Sequence, residues 1–420
     1  MSTSAPSPAR LRVITREVEA PGDLLEYADP HDPLVWARRG EWLVGVGAAL
    51  TLTARGAEID TLAARWREVS GAAEVDDPVG APGSGLVAFG ALPFDPRSAA
   101  AAVLVVPHLV IGHRDGRTWA TWVLPHDGAP DPDEPRPVPF GAHWSAAVGT
   151  GALTPEGYQD AVRAGLSAIA GGEVSKVVLA RDLVGTVPAG ADLRRLVRAL
   201  ASGYPDTWVY AVDGLIGASP ETLVTVAGGT VTARVLAGTA ARGADPDTDR
   251  AAALALASSD KDLAEHGYAV RSLVDALAPH TSALAASEQP FTLALPNVWH
   301  LATDVEAATS AGASALDLVR ALHPTAALAG TPTDAAVASI ARIEPFDRGR
   351  YAGPVGWIDA RGDGEWAIAL RGAQFDLAGA SEAGIPFAAH AGAGIVAGSD
   401  PEAELLETRV KFRPIVDALA

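Results

Sequence analysis

Short apolar runs closed by turn residues recur along most of the chain, and they constrain its fold more than any other feature. Val103–Ile111 and Thr118–Leu124 are two such runs, joined by the turn sequence HRDGR. Gly228-Gly229 separates another pair. Strand-like runs around a glycine turn are typical of β-hairpins. Because helical patterns such as Thr154–Ala170 are interspersed among these runs, we predict a layered α+β fold with large, mainly antiparallel sheets covered by helices.

Three segments differ in composition. The 420-residue chain is long enough to bury a large core. Residues 1–125 are rich in strand-like runs, and we predict that they form one half of a single body. Residues 126–150 contain most of the Pro- and Asp-rich stretch PHDGAPDPDEPRPVPF, which is typical of an exposed linker. Residues 151–420 contain the candidate functional residues.

Composition excludes several classes of protein. The net charge is −19 and no basic stripe is visible, so a nucleic-acid partner is not expected. With no cysteine, the chain has neither disulfides nor a thiolate zinc site. It shows no membrane-spanning apolar run and no secretory signal pattern, so we expect a cytoplasmic protein. An anionic substrate would need local positive charge from Arg, Lys or a metal ion.

Lysine is rare in this sequence, which has only Lys176, Lys261 and Lys411. Lys176 lies within the apolar strand-like run EVSKVVLARDL. As a general base near neutral pH, it would need its pKa lowered from ~10.4 to near ~7, a shift of about 4 kcal/mol. The alternative is an edge-strand lysine that reaches water or prevents edge pairing.

The run Ala391–Lys411 reads as a glycine-rich turn followed by a capped helix. Ser399 and Glu402 fit an S-x-x-E capping box, and Pro401 suits the first turn. The packed side of this helix is expected to carry Leu405, Leu406 and Val410.

The same helix carries a candidate ligand site. Glu404, Glu407 and Lys411 are spaced to share one face. Two carboxylates and an ammonium near a helix N-terminus could hold a metal ion and an anion. The alternative is a solvated face with an ordinary Glu407–Lys411 pair.

Four further polar residues stand in apolar or cleft-like contexts. Glu221 follows a strand-like run in GASPE, where it could be a general acid or simply part of a turn. Glu265 lies on a predicted helix in DKDLAEH, and two converging carboxylates would suit Mg²⁺. His300 in NVWHLAT could be a core histidine. Arg371 in the predicted strand Trp366–Phe375 could bind a carboxylate or form a structural salt bridge.

These segments occur in a familiar order. The motifs GGEVSKVVLAR, GASPE, LAGTAARG, DKDLAEH, VWHLAT, LHPTAALAG, EPFDRGRYAGPVGW, AIALRGAQF and AGAGIV…ELLETRVK resemble the chorismate-utilising enzymes over about residues 150–415. That family includes isochorismate, salicylate, anthranilate and aminodeoxychorismate synthases. The resemblance implies one fold with its active site in a cleft, chorismate as substrate and Mg²⁺ as cofactor.

The resemblance also assigns roles to residues. It implies that Lys176 activates water for attack at C2 and that Glu221 protonates the leaving C4 hydroxyl. The implied metal site comprises Glu265 and Glu407, with Glu404 beside them. The implied substrate contacts are Arg371 and Lys411 to carboxylate, the backbone of Gly238, Thr239 and Gly392, and the ring pocket of His300, Ala327 and Leu328.

Within the family, Lys176 and HPTAALAG resemble isochorismate synthases, whose product feeds siderophore or menaquinone biosynthesis. The alternatives are a salicylate synthase and a non-catalytic subunit paired with an amidotransferase, although no obligate protein partner is expected. Leu405 departs from the family pattern, which often has Trp there. The polar insert Ala378–Gly384 is a second departure.

Overall fold

The computed structural model describes residues 10–19, 22–126, 136–294 and 298–420, without the side chains of Thr239, Lys261, Glu265 and Val298. Within these residues the strands form two sheets, one of thirteen strands and one of ten. All pairings between these strands are antiparallel except β1 with β5, so the predicted fold class is confirmed.

The larger sheet comprises β1 (Leu11–Glu17), β2 (Leu34–Arg38), β3 (Glu41–Val46), β5 (Glu74–Asp76), β8 (Leu109–Arg114), β9 (Arg117–Pro125), β10 (Ala147–Thr150), β11 (Lys176–Val187), β12 (Trp208–Val212), β13 (Leu215–Ser219), β19 (Gly330–Thr331), β22 (Gly372–Phe375) and β23 (Ile385–Ile395). The smaller sheet comprises β4 (Leu50–Ala54), β6 (Val87–Ala91), β7 (Ala102–Val106), β14 (Thr222–Ala227), β15 (Thr230–Ala241), β16 (Thr281–Ala286), β17 (Phe291–Ala294), β18 (Val298–Thr309), β20 (Pro354–Asp359) and β21 (Gly364–Ile368).

The helices cover these sheets. They are α1 (Leu62–Ala72), α2 (Pro155–Ala170), α3 (Arg194–Gly203), α4 (Pro246–Ala257), α5 (Asp260–Leu277), α6 (Ala315–Leu322), α7 (Thr333–Ile343) and α8 (Pro401–Leu419), with short 3-10 turns at Leu24–Tyr27, Gly56–Thr61 and Ala278–His280. The sequence predicts a long helical stretch over roughly Pro246–Leu277, and the structure divides this stretch into two helices, α4 and α5. The helix stops at Ala257, and the Ser259 side chain caps a new one by accepting from the Asp262 N–H.

Two-residue turns fix the register of the hairpins. Both residues have positive φ at Asp115-Gly116, Asp213-Gly214 and Gly228-Gly229. Turns of this kind match the twist of the paired strands, and Asp-Gly and Gly-Gly adopt them at low cost. The hairpins predicted around HRDGR and Gly228-Gly229 are therefore confirmed.

Strands from the first 125 residues pair with later strands in both sheets. In the larger sheet β2 pairs with β12, and in the smaller sheet β6 pairs with β20. Between the sheets lies an apolar core that includes Trp36, Trp357 and Phe89. Both indoles donate to the buried Glu365 carboxylate, which also pairs with Arg114. This charged centre satisfies polar groups that burial would otherwise penalise.

Of the predicted linker, residues 126–150, the structure describes residue 126 and residues 136–150. The carbonyls of Val138 and Pro139 accept from the buried Arg194 guanidinium, and β10 adds an edge strand to the larger sheet. The described part of the segment is exposed but tied to the fold. The insert Ala378–Gly384 forms an exposed loop between β22 and β23, closed by the pair Ser381 and Gly384.

Candidate active site

Two of the places where the chain crosses from one sheet to the other lie next to each other. The first crossing joins β13 to β14 through Glu221, and the second joins β21 to β22 through Arg371. Hydrogen bonds tie them together, from the Ile368 N–H to the Glu221 carbonyl (3.0 Å) and from the Ala218 N–H to the Arg371 carbonyl (3.3 Å). A carboxyl and a guanidinium therefore stand together where the two sheets separate.

The backbone at Arg371 differs from the predicted strand. One continuous strand was predicted over Trp366–Phe375, but β21 ends at Ile368 and β22 begins at Gly372. Arg371 has a φ of 54°, a conformation that non-glycine residues rarely adopt. The turn arises because the chain changes sheets here. It places the guanidinium in the cleft rather than on a strand face.

The electrostatic environment of Glu221 suits an acid. Burial raises the pKa of the Glu221 carboxyl above its ordinary value. Three cations oppose that shift, in decreasing order Arg371, Lys176 and Lys411. Charge interactions with all three indicate that they converge on Glu221. A carboxyl with a raised pKa retains its proton closer to neutral pH, as a general acid must.

Lys176 is the first residue of β11, where the sequence predicted a mid-strand position. Its backbone pairs with Thr331 of the two-residue strand β19. Its side chain passes over Gly394 of β23, where a Cβ would lie 3.0 Å from the lysine Cε. The absence of a side chain at residue 394 thus leaves room for the ammonium in the cleft.

Helix α8 supplies the far wall. Lys411 Nζ donates to the Gly392 carbonyl at 2.8 Å and pairs with Glu407 at 2.5 Å. Burial raises the pKa of Glu404, and the negative charge of Glu407 adds to that effect. Glu404, Glu407 and Lys411 therefore share one region, as their spacing predicted.

Two details of α8 were predicted wrongly. Its N-cap is Asp400, whose carboxylate accepts from the N–H groups of Glu402 and Ala403. Ser399 instead accepts from the Val396 N–H, and Glu402 does not close a capping box with it. Asp400 takes the cap because it directly precedes the helix, so its carboxylate reaches the N–H groups of the second and third helical residues.

The packed side of α8 also differs from the prediction. Leu405 is buried, but Leu406 and Val410 are each 50% exposed. Thr408 and Phe412 take the buried positions instead, following the 3.6-residue period from Leu405.

The smaller sheet contributes the opposite wall. Strand β15 bulges at Gly238, which has a φ of 79°, and the register with β18 resumes at Thr239 opposite His300. Burial lowers the pKa of His300, a hydrogen bond to Gly238 opposes this, and the charges of the two cleft lysines lower it further. His300 is consequently a neutral ring at physiological pH. The Thr239 side chain is outside the described part.

Ala327 and Leu328 lie in the loop before β19. Ala327 is exposed, whereas Leu328 packs into the main apolar core. The Leu328 carbonyl accepts from Arg348 at 3.2 Å. Arg348 forms a bidentate, buried pair with Glu344 and also donates to the Val178 carbonyl of β11. This pair holds the loop and the Lys176 strand together.

Tyr351 belongs to the site, although sequence reasoning did not single it out. Burial raises its pKa to about 12, and the nearby charges of Arg348, Arg371 and Glu221 act on it. The phenol thus remains a neutral donor beside Arg371. The motif EPFDRGRYAGPVGW was noted as a whole, but nothing in its pattern marks the tyrosine.

The proposed metal ligands are described only in part. Glu265 lies on α5, but its side chain is outside the described residues. Among the side chains that are described, no group of three His, Asp or Glu is arranged to hold a metal ion. Glu404 and Glu407 offer two carboxylates one helical turn apart, and hard oxygen donors of this kind suit Mg²⁺.

In the described ranges, no helix is both long and apolar enough to cross a membrane.

A family model described as chorismate binding enzyme matches residues 140–420. The chain belongs to this family of chorismate binding enzymes.

Similar proteins agree with this assignment. Isochorismate synthase DhbC of Bacillus subtilis (strain 168) is 41% identical over 277 residues, which are 63% of this chain and 68% of the relative. Putative isochorismate synthase MenF of Mycobacterium tuberculosis (strain H37Rv) is 39% identical over 351 residues, 80% of this chain and 87% of the relative. Among solved structures, the putative 2,3-dihydroxybenzoate-specific isochorismate synthase DhbC of Bacillus anthracis has a TM-score of 0.71 at 31% identity, covering 94% of this chain and 98% of its own.

Proposed function

We propose that this chorismate binding enzyme is an isochorismate synthase, an isomerase that moves a hydroxyl group from C4 to C2 of chorismate with the help of Mg²⁺. The observation that carries the proposal is the placement of Glu221 among Lys176, Arg371 and Lys411. It gives one acid and several cations around a cleft, as expected for an anionic substrate that exchanges a hydroxyl. The similar proteins named isochorismate synthases support the same choice.

Lys176 is the base of the proposed mechanism. Its neutral amine would take a proton from a water molecule whose oxygen then attacks C2. The ring double bonds shift and the bond between C4 and its hydroxyl breaks. Glu221 gives its proton to that hydroxyl, which leaves as water. One water enters and one departs, so the net reaction is an isomerisation.

The other cleft residues bind and orient. Arg371 suits a carboxylate because its planar guanidinium can donate two parallel hydrogen bonds. Lys411 is held by Gly392 and Glu407 and would contribute a second cationic contact. These cations would offset the repulsion between an anionic substrate and a chain with a net charge of −19.

Glu265, Glu404 and Glu407 would hold the Mg²⁺. When bound, the ion would neutralise the substrate's ring carboxylate. Without a cation, Glu404 and Glu407 would themselves repel that carboxylate. Two acids beside a site for an anion therefore favour the binding of a metal ion there.

The decisive experiment is product analysis. We expect the pure protein with chorismate and Mg²⁺ to form isochorismate, resolved by chromatography. Salicylate with pyruvate would assign it as a salicylate synthase. A product that appears only with added ammonium would refute the proposed reaction.

Replacing the base tests the mechanism. We expect Lys176→Ala to lose at least about 10²-fold in kcat, because general-base catalysis contributes at least this much. Its Tm should stay near that of the wild type, because Lys176 is a partly exposed residue at a strand end. Retained turnover in the folded variant would refute Lys176 as the base.

A further inference from the structure

A second cavity adjoins the catalytic cleft. It has a volume of about 990 Å³, opens to solvent and lies on the β11 and β23 face that also carries Lys176 and Gly394. Small-molecule sites commonly occupy about 300–1,000 Å³. The cavity does not reach Lys176, Glu221 or Arg371, but it shares Tyr351 with the cleft. It is therefore a separate space with one wall in common.

Aromatic and small residues form the walls of this cavity. Tyr351 and His390 are the partly exposed aromatic residues of its lining, and glycine and alanine form much of the remaining surface. Gly372, another lining residue, allows Tyr210 to pack beneath this surface, since an added Cβ would lie 2.7 Å from the Tyr210 hydroxyl. Such walls favour a flat, largely apolar molecule.

The charges around the cavity disfavour an anion. Both arginines of its lining already have partners, Arg348 with Glu344 at 2.6 Å and Arg350 with Asp213 at 2.7 Å. The lining residues that the structure describes therefore offer no unpaired cation. An anionic ligand would lose its hydration without compensation. The cavity thus differs in ligand chemistry from the catalytic cleft.

His390 is a polar lining residue that a ligand could use. Neither ring nitrogen has a hydrogen-bond partner among the described residues, and the ring lines the cavity. Burial lowers the pKa of His390 to about 4, so the ring is neutral and offers one donor and one acceptor. A ligand hydroxyl or amide could use either.

The same histidine contacts the shared wall. His390 stacks on Tyr351 with ring centroids 5.1 Å apart and planes at 22°. Tyr351 in turn interacts with Arg371 and Glu221 in the cleft. A molecule that packs against His390 can therefore shift the position of Tyr351, and with it the electrostatic environment of Arg371 and Glu221.

We propose that this second cavity binds a neutral aromatic small molecule and that binding changes the affinity of the cleft for its anionic substrate through the His390–Tyr351 stack. The binding half of the proposal is independent of the reaction. The coupling half rests on the proposed isochorismate synthase activity.

The test uses 2-naphthol as a neutral probe and 2-naphthoate as its anionic match, both titrated calorimetrically against the full chain. We expect saturable binding of 2-naphthol. The affinity for 2-naphthoate should be at least about tenfold lower, because its carboxylate would be buried unpaired. With saturating 2-naphthol, KM for chorismate should change about fivefold or more, a typical allosteric coupling.

Variants locate the probe. Ala388→Trp fills the cavity and should abolish 2-naphthol binding, whereas Ala64→Trp, on the exposed face of α1, should bind like the wild type. His390→Phe keeps the stacked ring, removes both nitrogens and should weaken binding even if Ala388→Trp does not fold.

Three outcomes would overturn the proposal. Absence of saturable 2-naphthol binding, or binding unaffected by both cavity variants, overturns the site. Binding in the cavity with an unchanged KM overturns the coupling. If the protein does not turn over chorismate at all, the proposed function fails, and calorimetry still decides whether the cavity binds the probe.

Discussion

Gly394 controls the space in which the Lys176 side chain lies. A methyl group there would sit 3.0 Å from Cε and 3.7 Å from Nζ. Because the end of a lysine is flexible, the ammonium would move while the fold stays intact. We expect Gly394→Ala to lower kcat by about tenfold, since small misplacements of a catalytic group are costly. Steady-state kinetics and Tm measure the two effects.

Gly398 provides the matched control for this substitution. Its added Cβ would meet nothing within 4 Å. Gly398→Ala should therefore keep the wild-type kcat and Tm. A folded Gly394→Ala enzyme with unchanged kcat would contradict the assignment of Lys176 as the base.

The raised pKa of Glu221 has a consequence for stability. Because the folded state binds this proton more tightly than the unfolded state, stability falls as pH rises from the ordinary value of 4.5 through the raised folded value. Glu221→Gln has no proton to lose. We expect its Tm to exceed that of the wild type at about pH 8 and to match it at about pH 4.

Calorimetric scans of both proteins across this range would measure the difference. Glu382→Gln, in the exposed loop between β22 and β23, should leave the profile unchanged. A Glu221→Gln variant that is less stable than the wild type at about pH 8 would show that the ionised carboxylate stabilises the cleft.

Helix α8 depends on Asp400 for its start. Removing this cap leaves the N–H groups of Glu402 and Ala403 without their acceptor. We expect Asp400→Ala to reduce the free energy of unfolding by about 1 kcal/mol. KM for chorismate should also rise, because α8 positions Glu404, Glu407 and Lys411. Urea unfolding and kinetics measure the two effects.

Glu402→Ala distinguishes the Asp400 cap from the capping box of Ser399 and Glu402 that the sequence predicted. The Glu402 side chain is exposed and does not receive the cap hydrogen bond. Its removal should change stability by less than about 0.5 kcal/mol. An equal loss in the free energy of unfolding in Asp400→Ala and Glu402→Ala would support the predicted capping box of Ser399 and Glu402.

Local rules explain which elements the sequence predicts well. The turns at Asp115-Gly116 and Gly228-Gly229 are determined by residues next to each other in the chain, so they can be read directly. The break between β21 and β22 at Arg371 depends on two sheets diverging, which no local pattern records. The cap of α8 was missed because Ser399 and Asp400 are adjacent and both are good caps.

At the scale of the whole molecule, the Glu344–Arg348 pair joins parts distant in sequence. Glu344 accepts from the Ala180 N–H, and Arg348 donates to the carbonyls of Val178 and Leu328. Glu344→Gln leaves a buried guanidinium without its counter-charge. We expect a loss of about 3–5 kcal/mol in the free energy of unfolding, measured by chemical denaturation.

Glu173→Gln is the exposed counterpart. It removes the partner of Arg342, a pair in which both side chains are more than half exposed at 58% and 52%. The cost should be below about 1 kcal/mol. Similar losses in the two variants would mean that the Glu344–Arg348 pair is not a structural centre of the fold.

Contacts between residues distant in sequence also explain which site residues the sequence alone could not predict. Lys176, Glu221 and Lys411 could be proposed from their motifs, and the structure places them in one electrostatic group. Tyr351 joins that group only because the segment around Arg348 folds against β11 and β23. Its sequence context is that of any partly buried tyrosine.

The double crossing between the sheets has a practical consequence for dividing the protein. Glu221 precedes the exposed turn at Gly228-Gly229, and Arg371 follows it. A chain cut at this turn would give two fragments, each with part of the acid–guanidinium pair and with strands of both sheets. Turnover would then require the two pieces to reassemble, so the enzyme could serve as a two-fragment reporter of association between proteins fused to them.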